Sequence, residues 1–300
     1  MGMGRAWMQA SPAAKAIFDR ADALLENRFD TPLSSLCVDG PADMLDRTDV
    51  SQPAIYVCSV ACWHGLNDGD SPTPAATGGL SLGEYTALHL AGAFSFEDGL
   101  RLVAERGRLM QQAADASDGG MVAVMGLDQD DAQAFCDEVL VGMGTPDGVL
   151  VPANLNAPGQ IVLSGDTTAC TAAADACGKQ SLRATRLSVA GAFHSSHMRP
   201  AAEGLAEVLA DVDVRSPACD VWSNVTADRH EANPDAIRQR LVDQLTSPVR
   251  WADQAAAMIS AGHVEFTEIA PGRVLRGLLR RVDRTAKVHN HDEPNTTHVS

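Results

Sequence analysis

The sequence lacks a hydrophobic segment long enough to cross a membrane. A membrane-spanning helix needs about 20 consecutive apolar residues, and the 300-residue chain contains no apolar run approaching that length. The opening residues, MGMGRAWMQASPAAKAIF, also lack the apolar stretch of a secretory signal peptide. Position 6 is alanine, so the N-myristoylation pattern fails as well. These absences predict a protein without a membrane partner.

Cysteine pairs are missing too. The seven cysteines are odd in number and scattered, with no CxxC pair and no matching histidine spacing. Such usage indicates neither a disulfide framework nor a zinc site. We therefore predict free thiols, no metal site and a reducing, cytoplasmic environment. Cys58 and Cys62 lie in the apolar run 55–63 and are predicted to be packed thiols.

Basic residues are scarce. Lysine and arginine number 23 against 39 aspartates and glutamates, which gives a formal net charge of −16 and a pI near 4.8. Nucleic acids and anionic membranes bind basic faces. The charge balance therefore argues against either of them as a general partner, and an acidic protein partner needs a local basic patch.

The apolar content of 45% is enough to bury a sizeable core in one large domain, or in one domain with an insertion. Within 118–188 the pattern reads strand, helix, strand, strand, helix, strand, an order typical of a ferredoxin-like unit. The remainder alternates helices with short strands, as an α/β domain does. We predict an α/β-hydrolase-like core domain formed by 1–117 and 189–288, with an inserted ferredoxin-like βαββαβ subdomain. The polar residues 289–300 are predicted to form a flexible tail.

The pentapeptide GLSLG at 79–83 fits a nucleophile elbow centred on Ser81. Small residues at both ends let a strand turn abruptly into a helix, which exposes the serine hydroxyl at the helix N-terminus. A helix is predicted over 82–91, whereas the preceding PAATGG makes a poor strand. A chain with 25 glycines also yields such a pentapeptide by chance. The assignment of Ser81 as nucleophile is therefore a hypothesis that depends on its context.

Arg106 lies on the otherwise apolar face of a helix predicted over 96–116. It shares this face with Val103, Met110 and Ala113 at spacings of three and four residues. A guanidinium on a core face is too costly to leave unpaired, so it needs a carboxylate. The pattern leaves two interpretations open: a structural ion pair with the protein, or binding of a ligand's carboxylate.

A serine nucleophile needs a general base, and the chain has nine histidines as candidates. His194 follows the flexible segment 190–192, where the predicted insertion rejoins the main domain. Clefts commonly form at such junctions. A surface or capping histidine is the alternative interpretation of His194, and His197 is a second histidine nearby.

Several long motifs in sequence order resemble one family. The motifs are GLSLGEYTALHLAGAFSFEDGLRLVAERGRLM, NLNAPGQIVLSG, GAFHSSHMRPA, SNVTA, SPVRW and EIAPGRVLRGLLRR. Together they resemble the malonyl-CoA:acyl carrier protein transacylases, a family that includes the acyltransferase domains of polyketide synthases. The resemblance extends from residue 1 to about residue 288.

The resemblance implies roles for three residues. Ser81 matches the acylated serine, His194 in AFHSS matches its base, and Arg106 in ERGRLM matches the clamp for the malonyl carboxylate. The family has no acidic third member, because a main-chain carbonyl in the SPVRW segment orients the histidine. At this point the resemblance favours ligand binding over a structural ion pair for Arg106.

Three further roles follow from the same resemblance. The Leu82 N–H is implied as an oxyanion donor, the Arg250 carbonyl as the group that orients the histidine, and Phe193 as a bulky residue that crowds α-branched acyl groups. Two positions depart from the family pattern. Leu80 stands where the family has histidine, and Arg250 stands where some members have glutamine.

The N-terminus is a third departure. Members of the family begin with a buried strand and a GQGSQ loop whose glutamine helps form the oxyanion hole, whereas this chain begins at the segment that follows the loop. Leu82 is therefore the only oxyanion donor that the sequence identifies. Members often read Val-Gly-Met-Gly at this point, and a GTG valine codon can be mistaken for a start codon. We expect a start site farther upstream, which the DNA ahead of Met1 would test.

The resemblance implies an acyltransferase that moves malonyl from malonyl-CoA to the phosphopantetheine thiol of acyl carrier protein, in fatty acid or polyketide synthesis. A malonyl-serine intermediate is implied, and no bound cofactor is expected. Two other functions stay open. A serine hydrolase or thioesterase would share Ser81, and a truncated, inactive remnant would act only as a binding protein.

Two groups of arginines are candidates for contacts with acidic partners. Carrier proteins of this kind are acidic, so a docking patch is expected at four arginines spaced by three or four residues: Arg273, Arg276, Arg280 and Arg284. An ordinary solvated helix face is the alternative. Arg183 and Arg186, just upstream of His194, are predicted to contact the phosphates of coenzyme A.

Overall fold

The computed structural model describes residues 1–294. Over these residues the helices, in chain order, are α1 Arg5–Ala10, α2 Pro12–Leu24, α3 Leu33–Asp39, α4 Ala42–Asp46, α5 Thr48–Leu66, α6 Leu82–Leu90, α7 Phe96–Asp115, α8 Gln129–Gly142, α9 Thr167–Lys179, α10 Arg199–Ala210, α11 Pro234–Asp243, α12 Trp251–Ser260 and α13 Val274–Val282. The strands are β1 Ala76–Gly78, β2 Gly119–Met125, β3 Leu150–Ala157, β4 Gln160–Asp166, β5 Arg183–Arg186, β6 Asp220–Trp222, β7 Glu265–Ile269 and β8 Lys287–His291. This mixture of helices and strands confirms the predicted α/β class.

Helix α5 lies at the centre of the larger core. It packs against both α2 and α7. Its residues Tyr56, Val57, Cys58 and Val60 are fully buried, as expected for a helix that is apolar on all faces. Helix α7, in contrast, has one apolar and one polar face, so it covers the core while presenting its charged side to solvent. The predicted extents of α6 and α7 each exceed the observed helix by one residue.

A short parallel strand pair positions the candidate nucleophile. Strand β1 pairs with β6, with Thr77 opposite Val221. Only three residues of the segment before the pentapeptide form a strand, which agrees with its poor strand propensity. The carboxyl ends of parallel strands meet at the same sheet edge, where sites commonly form. The chain leaving β1 enters the Ser81 turn, and the chain leaving β6 reaches Asn224 close by.

Residues 119–186 form a separate four-stranded antiparallel sheet with the strand order β3-β4-β2-β5. Alternate side chains of each strand point to opposite faces. Val122 and Val124 of β2 pack against α8 and α9 on one face, whereas Met121 lies on the other face in a cluster that contacts Phe193. The second face of this sheet is therefore turned toward the segment that carries His194.

The C-terminal segment departs from the prediction of a flexible tail. Residues 287–291 form β8, which pairs in parallel with β7. The carbonyl of His291 accepts a 3.0 Å hydrogen bond from the Trp7 indole nitrogen. The predicted tail is thus wrong for residues 289–291, because these residues supply a strand. The remaining part of that prediction, residues 295–300, lies outside the described residues.

Two absences noted in the sequence have structural counterparts. All seven cysteines are free thiols, and six of them are buried. Burial raises the pKa of Cys37 and of Cys62 to about 12, so both are protonated packing residues at neutral pH. Among residues 1–294, no helix combines the length and apolar character needed to cross a bilayer.

Candidate active site

Ser81 occupies a strained turn between β1 and α6. Its backbone has φ 50° and ψ −101°, a conformation that residues other than glycine rarely adopt outside functional sites. The turn brings the backbones of Gly79 and Gly83 together: a Cβ added to Gly79 would lie 2.1 Å from the carbonyl carbon of Gly83. The first glycine is therefore a steric requirement. The turn presents the Ser81 hydroxyl at the start of a helix, as the pentapeptide predicts.

His194 lies next to Ser81 in the structure. Its Nε2 is 2.9 Å from Ser81 Oγ, and its Nδ1 is 2.8 Å from the backbone carbonyl of Gln244. Because a carbonyl only accepts, Nδ1 must carry the hydrogen, which leaves the Nε2 lone pair facing the serine hydroxyl. Burial, and then the positive charge of Arg106, lowers the pKa of His194 to about 4. The imidazole is therefore neutral at neutral pH and can accept the serine proton.

The carbonyl that orients His194 belongs to Gln244, so the prediction of Arg250 is wrong. Arg250 precedes α12, and its carbonyl accepts the hydrogen bond of the Gln254 amide at 2.9 Å. That carbonyl is already used by the first turn of the helix. Gln244 follows α11, where the last carbonyls of a helix have no partner within the helix. Its carbonyl is therefore free to accept from the imidazole.

Arg106 is buried beside the nucleophile, with 1% of its surface exposed. Its Nη2 donates to Ser81 Oγ at 3.0 Å and to Gln244 Oε1 at 2.9 Å, and its Nη1 donates to Gln52 Oε1 at 2.6 Å. All three acceptors are neutral, and Arg106 forms no ion pair within residues 1–294. The interpretation of a structural ion pair is therefore wrong. Burial lowers the pKa of the guanidinium from its usual value, and a carboxylate ligand beside Ser81 would pair with it.

A buried polar network around Ser81 was missed by the sequence analysis. Asn224 Oδ1 accepts from the Ser81 amide at 2.6 Å, and its Nδ2 donates to the Gly79 carbonyl at 2.7 Å. Glu84 accepts from the Asn224 amide at 3.0 Å and from Gln244 Nε2 at 2.6 Å. Glu84 and Asn224 belong to motifs already noted, GLSLGE and SNVTA. The only available signal was their presence in those motifs.

Leu82 is the first residue of α6. The first amides of a helix have no partner within the helix, and the helix dipole favours negative charge at this end. The Ser81 amide is already bonded to Asn224, which leaves the Leu82 amide as the next donor along the turn. The oxyanion role of Leu82 stays a prediction.

A cleft of about 680 Å³ opens onto His194. One wall comes from β3 and includes Val151 and Leu155, and the opposite wall comes from α10 and includes Ala202. Phe193 directly precedes His194 and is half-buried. It packs against the larger core and against the cluster that contains Met121. Its proposed effect on acyl selectivity stays a prediction.

Arg183 and Arg186 do not line this cleft. They lie on β5, at the edge of the sheet opposite β3. With neighbouring strands about 4.8 Å apart, the two edges are separated by roughly 14 Å. Arg186 Nη1 donates instead to Thr171 Oγ1 on α9 at 3.2 Å. Their predicted contact with the phosphates of coenzyme A stays a prediction. An arginine that does line the cleft is Arg199, at the start of α10.

The four C-terminal arginines surround α13. Arg276 and Arg280 lie within the helix, Arg273 is the residue just before its first turn, and Arg284 follows its end. Within residues 1–294 none of the four forms an ion pair. The buried side of α13 packs in a cluster with Trp251 and Leu80. Leu80, which stands where the family has histidine, is thus a packing residue of the cluster that includes α13.

The comparisons with known proteins agree with this geometry. Residues 1–294 match the family described as acyl transferase domain. The chain is 40% identical over 302 aligned positions to a malonyl CoA-acyl carrier protein transacylase of Bacillus subtilis, which covers all of this chain and 92% of the relative.

Two solved structures are also similar. An acyl-carrier-protein S-malonyltransferase from Burkholderia pseudomallei superposes with a TM-score of 0.90 at 34% identity, covering 98% of this chain and 92% of that one. A malonyl-transacylase solved in complex with a type II polyketide synthase acyl carrier protein gives a TM-score of 0.90 at 35% identity, with the same coverage of 98% and 92%. These matches confirm the resemblance seen in the motifs, and the chain therefore belongs to the acyl transferase domain family.

Proposed function

We propose that this protein transfers the malonyl group of malonyl-CoA to the phosphopantetheine thiol of acyl carrier protein, through a malonyl ester of Ser81. The observation that carries the proposal is the Arg106 guanidinium, buried 3.0 Å from Ser81 Oγ without a carboxylate partner among residues 1–294. A nucleophile with a fixed buried cation beside it suits an acyl group that ends in a carboxylate. The relatives named above as malonyl transferases support the same substrate.

In the first half-reaction, His194 Nε2 takes the proton of Ser81 as Oγ attacks the thioester carbonyl. The oxyanion that forms lies at the N-terminus of α6, where the Leu82 amide stabilises it. When this intermediate collapses, the carbon–sulfur bond breaks and the coenzyme A sulfur takes the proton from His194. Malonyl-Ser81 remains, and the imidazole is neutral again.

Arg106 changes partners during this step. In the free enzyme one of its Nη2 hydrogens is bonded to Ser81 Oγ. Once Oγ becomes an ester oxygen it is a weaker acceptor, so the same N–H turns to the malonyl carboxylate. A guanidinium binds a carboxylate through two parallel hydrogen bonds, which fixes its orientation as well as its charge. The ester carbonyl is thereby held in place for the second attack.

In the second half-reaction the carrier's thiol enters through the cleft that opens onto His194. His194 takes the thiol proton, the sulfur attacks the ester carbonyl, and Ser81 Oγ leaves with that proton. No cofactor takes part in either half-reaction. The product is malonyl on the carrier thiol, as needed for fatty acid or polyketide synthesis.

Three finer assignments belong to the same proposal. The sheet order β3-β4-β2-β5, with α8 and α9 on one face, supports a ferredoxin-like subdomain. The parallel pair that leads into a nucleophile turn supports an α/β-hydrolase-like core. The free, buried cysteines support a reducing, cytoplasmic location.

The proposed function is tested by following the malonyl group. The protein is mixed with labelled malonyl-CoA, and intact mass is recorded before and after holo acyl carrier protein is added. We expect one malonyl group on the enzyme at first, and then its transfer to the carrier. Rapid release of free malonate without carrier would instead identify a hydrolase. The absence of any acyl-enzyme would identify an inactive binding protein.

We also propose that the α13 arginines form the docking surface for the acidic carrier. Arg276 and Arg280 lie on a helix whose buried side packs in the same hydrophobic cluster as Leu80 of the nucleophile turn. Their charges are unpaired within residues 1–294, on a chain whose net charge is −16. A local cationic patch of this kind steers an acidic partner toward one face.

Charge reversal at this surface should weaken the carrier interaction alone. In the double variant Arg276→Glu, Arg280→Glu we expect the KM for carrier to rise about tenfold while the KM for malonyl-CoA is unchanged, because rim charges act on encounter with the charged partner. Arg183→Glu, Arg186→Glu is the matched control, on the distant edge of the sheet. Equal effects of the two double variants would contradict a specific docking surface at α13.

A further inference from the structure

Glu84 is an acidic residue with no part in the steps described above. It lies on α6, one helical turn after Ser81, and its side chain is fully buried. The Asn224 amide and Gln244 Nε2 donate hydrogen bonds to it at 3.0 and 2.6 Å, and His230 Nε2 lies 2.6 Å from its other oxygen. With the His230 ring hydrogen on Nε2, a carboxylate that only accepts satisfies all three groups. Glu84 is therefore a buried anion within one turn of the nucleophile.

The first consequence concerns the amide of Gln244. Its Nε2 donates to Glu84 and to the Ser81 carbonyl, at 2.6 and 3.0 Å. This arrangement turns the other end of the amide, Oε1, toward Arg106 at 2.9 Å. If the amide rotated by half a turn, its NH₂ group would face the guanidinium, donor against donor. Glu84 excludes that orientation by accepting from Nε2.

The second consequence concerns Asn224. Glu84 accepts from its backbone amide, while its side chain bonds to both sides of the nucleophile turn: the Ser81 amide and the Gly79 carbonyl. These two bonds hold a backbone conformation with a positive φ at Ser81. Such strained conformations persist only where surrounding contacts over-determine them. Glu84 thus supports the turn as well as the guanidinium.

The network also connects opposite charges. Arg106 and Glu84 do not touch, but Gln244 accepts from the first and donates to the second. The amide dipole is aligned between a buried cation and a buried anion, so each charge strengthens the hydrogen bond of the other. The guanidinium is held by charge-assisted contacts and still has no carboxylate partner among the residues that the structure describes.

We infer that Glu84 is a positioning residue for malonyl transfer: it accepts from Gln244 and Asn224, and through them aims Arg106 and Ser81. This inference rests on the proposed function. It assigns the selectivity for a carboxylate-bearing acyl group to Arg106 together with Glu84, which is connected to Arg106 through Gln244. A residue that acts in this way affects malonyl transfer more than acetyl transfer, because only malonyl has a carboxylate for Arg106 to hold.

The test compares Ser81 acylation by malonyl-CoA with acylation by acetyl-CoA, without carrier. In Glu84→Leu we expect the ratio of the two kcat/KM values to fall roughly 10- to 100-fold, as expected when hydrogen bonds that hold a charged group are lost. Gln244→Met keeps the backbone carbonyl that orients His194, and it should lower the ratio by a similar factor. The double variant should be no worse than the more affected single variant, because both residues act through one path.

Two further variants separate positioning from general destabilisation. In Glu84→Gln the side-chain oxygen can still accept from Gln244 and Asn224 if its NH₂ group donates to His230. His230 Nδ1 has no partner among residues 1–294, so it can take the ring hydrogen and leave Nε2 as the acceptor. The malonyl to acetyl ratio should therefore stay within about threefold of wild type.

Glu268→Leu is the matched control for loss of a buried carboxylate. Glu268 is a buried residue of β7 that takes no part in the hydrogen bonds around Glu84; it accepts from the Leu275 and Arg276 amides at 2.7 and 3.1 Å. Its replacement should lower Tm without changing the ratio.

Several outcomes would overturn the inference. A folded Glu84→Leu that slows malonyl and acetyl transfer by the same factor would show a purely structural role. If Glu84→Leu does not fold, an unchanged ratio in Gln244→Met, or a ratio in Glu84→Gln that falls more than about tenfold, would do so. A wild-type protein that forms no malonyl-Ser81 would refute the proposed function instead, so the two failures are distinguishable.

Discussion

Ser81→Ala should abolish the acyl-enzyme and reduce malonyl transfer by a factor on the order of 10⁵ or more, the scale of losses seen when a serine nucleophile is removed. The reason is geometric. Oγ is the atom held between the acceptor nitrogen of His194 and the guanidinium of Arg106, at 2.9 and 3.0 Å. Without Oγ the site has no nucleophile to form the ester, although His194 and Arg106 are still in place. The measurement is intact mass after brief exposure to malonyl-CoA.

Ser196→Ala is a suitable control, because Ser196 is an exposed serine that lines the cleft beside His194. This variant should still gain one malonyl group. Native-like Tm and circular dichroism in Ser81→Ala would show that the loss is chemical. A malonyl adduct that persists in Ser81→Ala, or that disappears in Ser196→Ala, would contradict the assignment of the nucleophile.

Arg106→Ala should lower kcat/KM for malonyl-CoA by about 10³-fold, because breaking a buried, hydrogen-bonded charge pair costs several kcal/mol. Acetyl transfer should persist or rise, since an acetyl group leaves the guanidinium unpaired and the alanine removes that buried charge. Both rates are measured by release of coenzyme A with the same enzyme preparation. Equal losses for the two substrates would show that Arg106 only maintains the fold.

Arg106→Lys separates charge from geometry in the same experiment. Lysine retains the positive charge but cannot form two parallel hydrogen bonds with a carboxylate. It should therefore recover only part of the malonyl activity. Full recovery would contradict bidentate binding of the carboxylate.

The same arginine should shift the pH dependence of acylation. Burial first, and the charge of Arg106 second, lowers the pKa of His194 to about 4. Only the neutral imidazole accepts the serine proton, so kcat/KM should rise with pH through this range and then level off. In Arg106→Ala the repulsive charge is gone, so the rise should move to higher pH, toward the ordinary range of histidine. The profile is measured with acetyl-CoA, which both proteins use.

Residues with a local signature could be predicted from the sequence. Gly79 precedes the Ser81 turn because its backbone lies against that of Gly83, and this steric need is visible within a short motif. Arg106 was identifiable because a charged residue on an apolar helix face needs a partner. The choice between its two interpretations required the structure, since any carboxylate partner would have come from a distant segment.

The oriented histidine shows where local patterns fail. A backbone carbonyl has no residue type, so the motif SPVRW pointed to Arg250 although Gln244 is the acceptor. Which carbonyl is free depends on where α11 ends and α12 begins, relative to a histidine 50 residues earlier in the chain. The position of Arg183 and Arg186 relative to the cleft was hidden from the sequence for a related reason. They precede His194 closely in sequence, but the sheet order puts their strand at the edge away from the cleft.

The sequence by itself determined the α/β class and the candidates Ser81 and Arg106, because sterics and helical periodicity act over a few residues. His194 was selected as the base through the resemblance of its AFHSS motif to the family. Only the tertiary structure decided how these groups are held. Glu84 looks like an ordinary helical acid until Asn224 and Gln244, which are 140 and 160 residues away, are seen to bond to it. Hydrogen bonds over such separations depend on how strands and helices pack, and no local pattern specifies them.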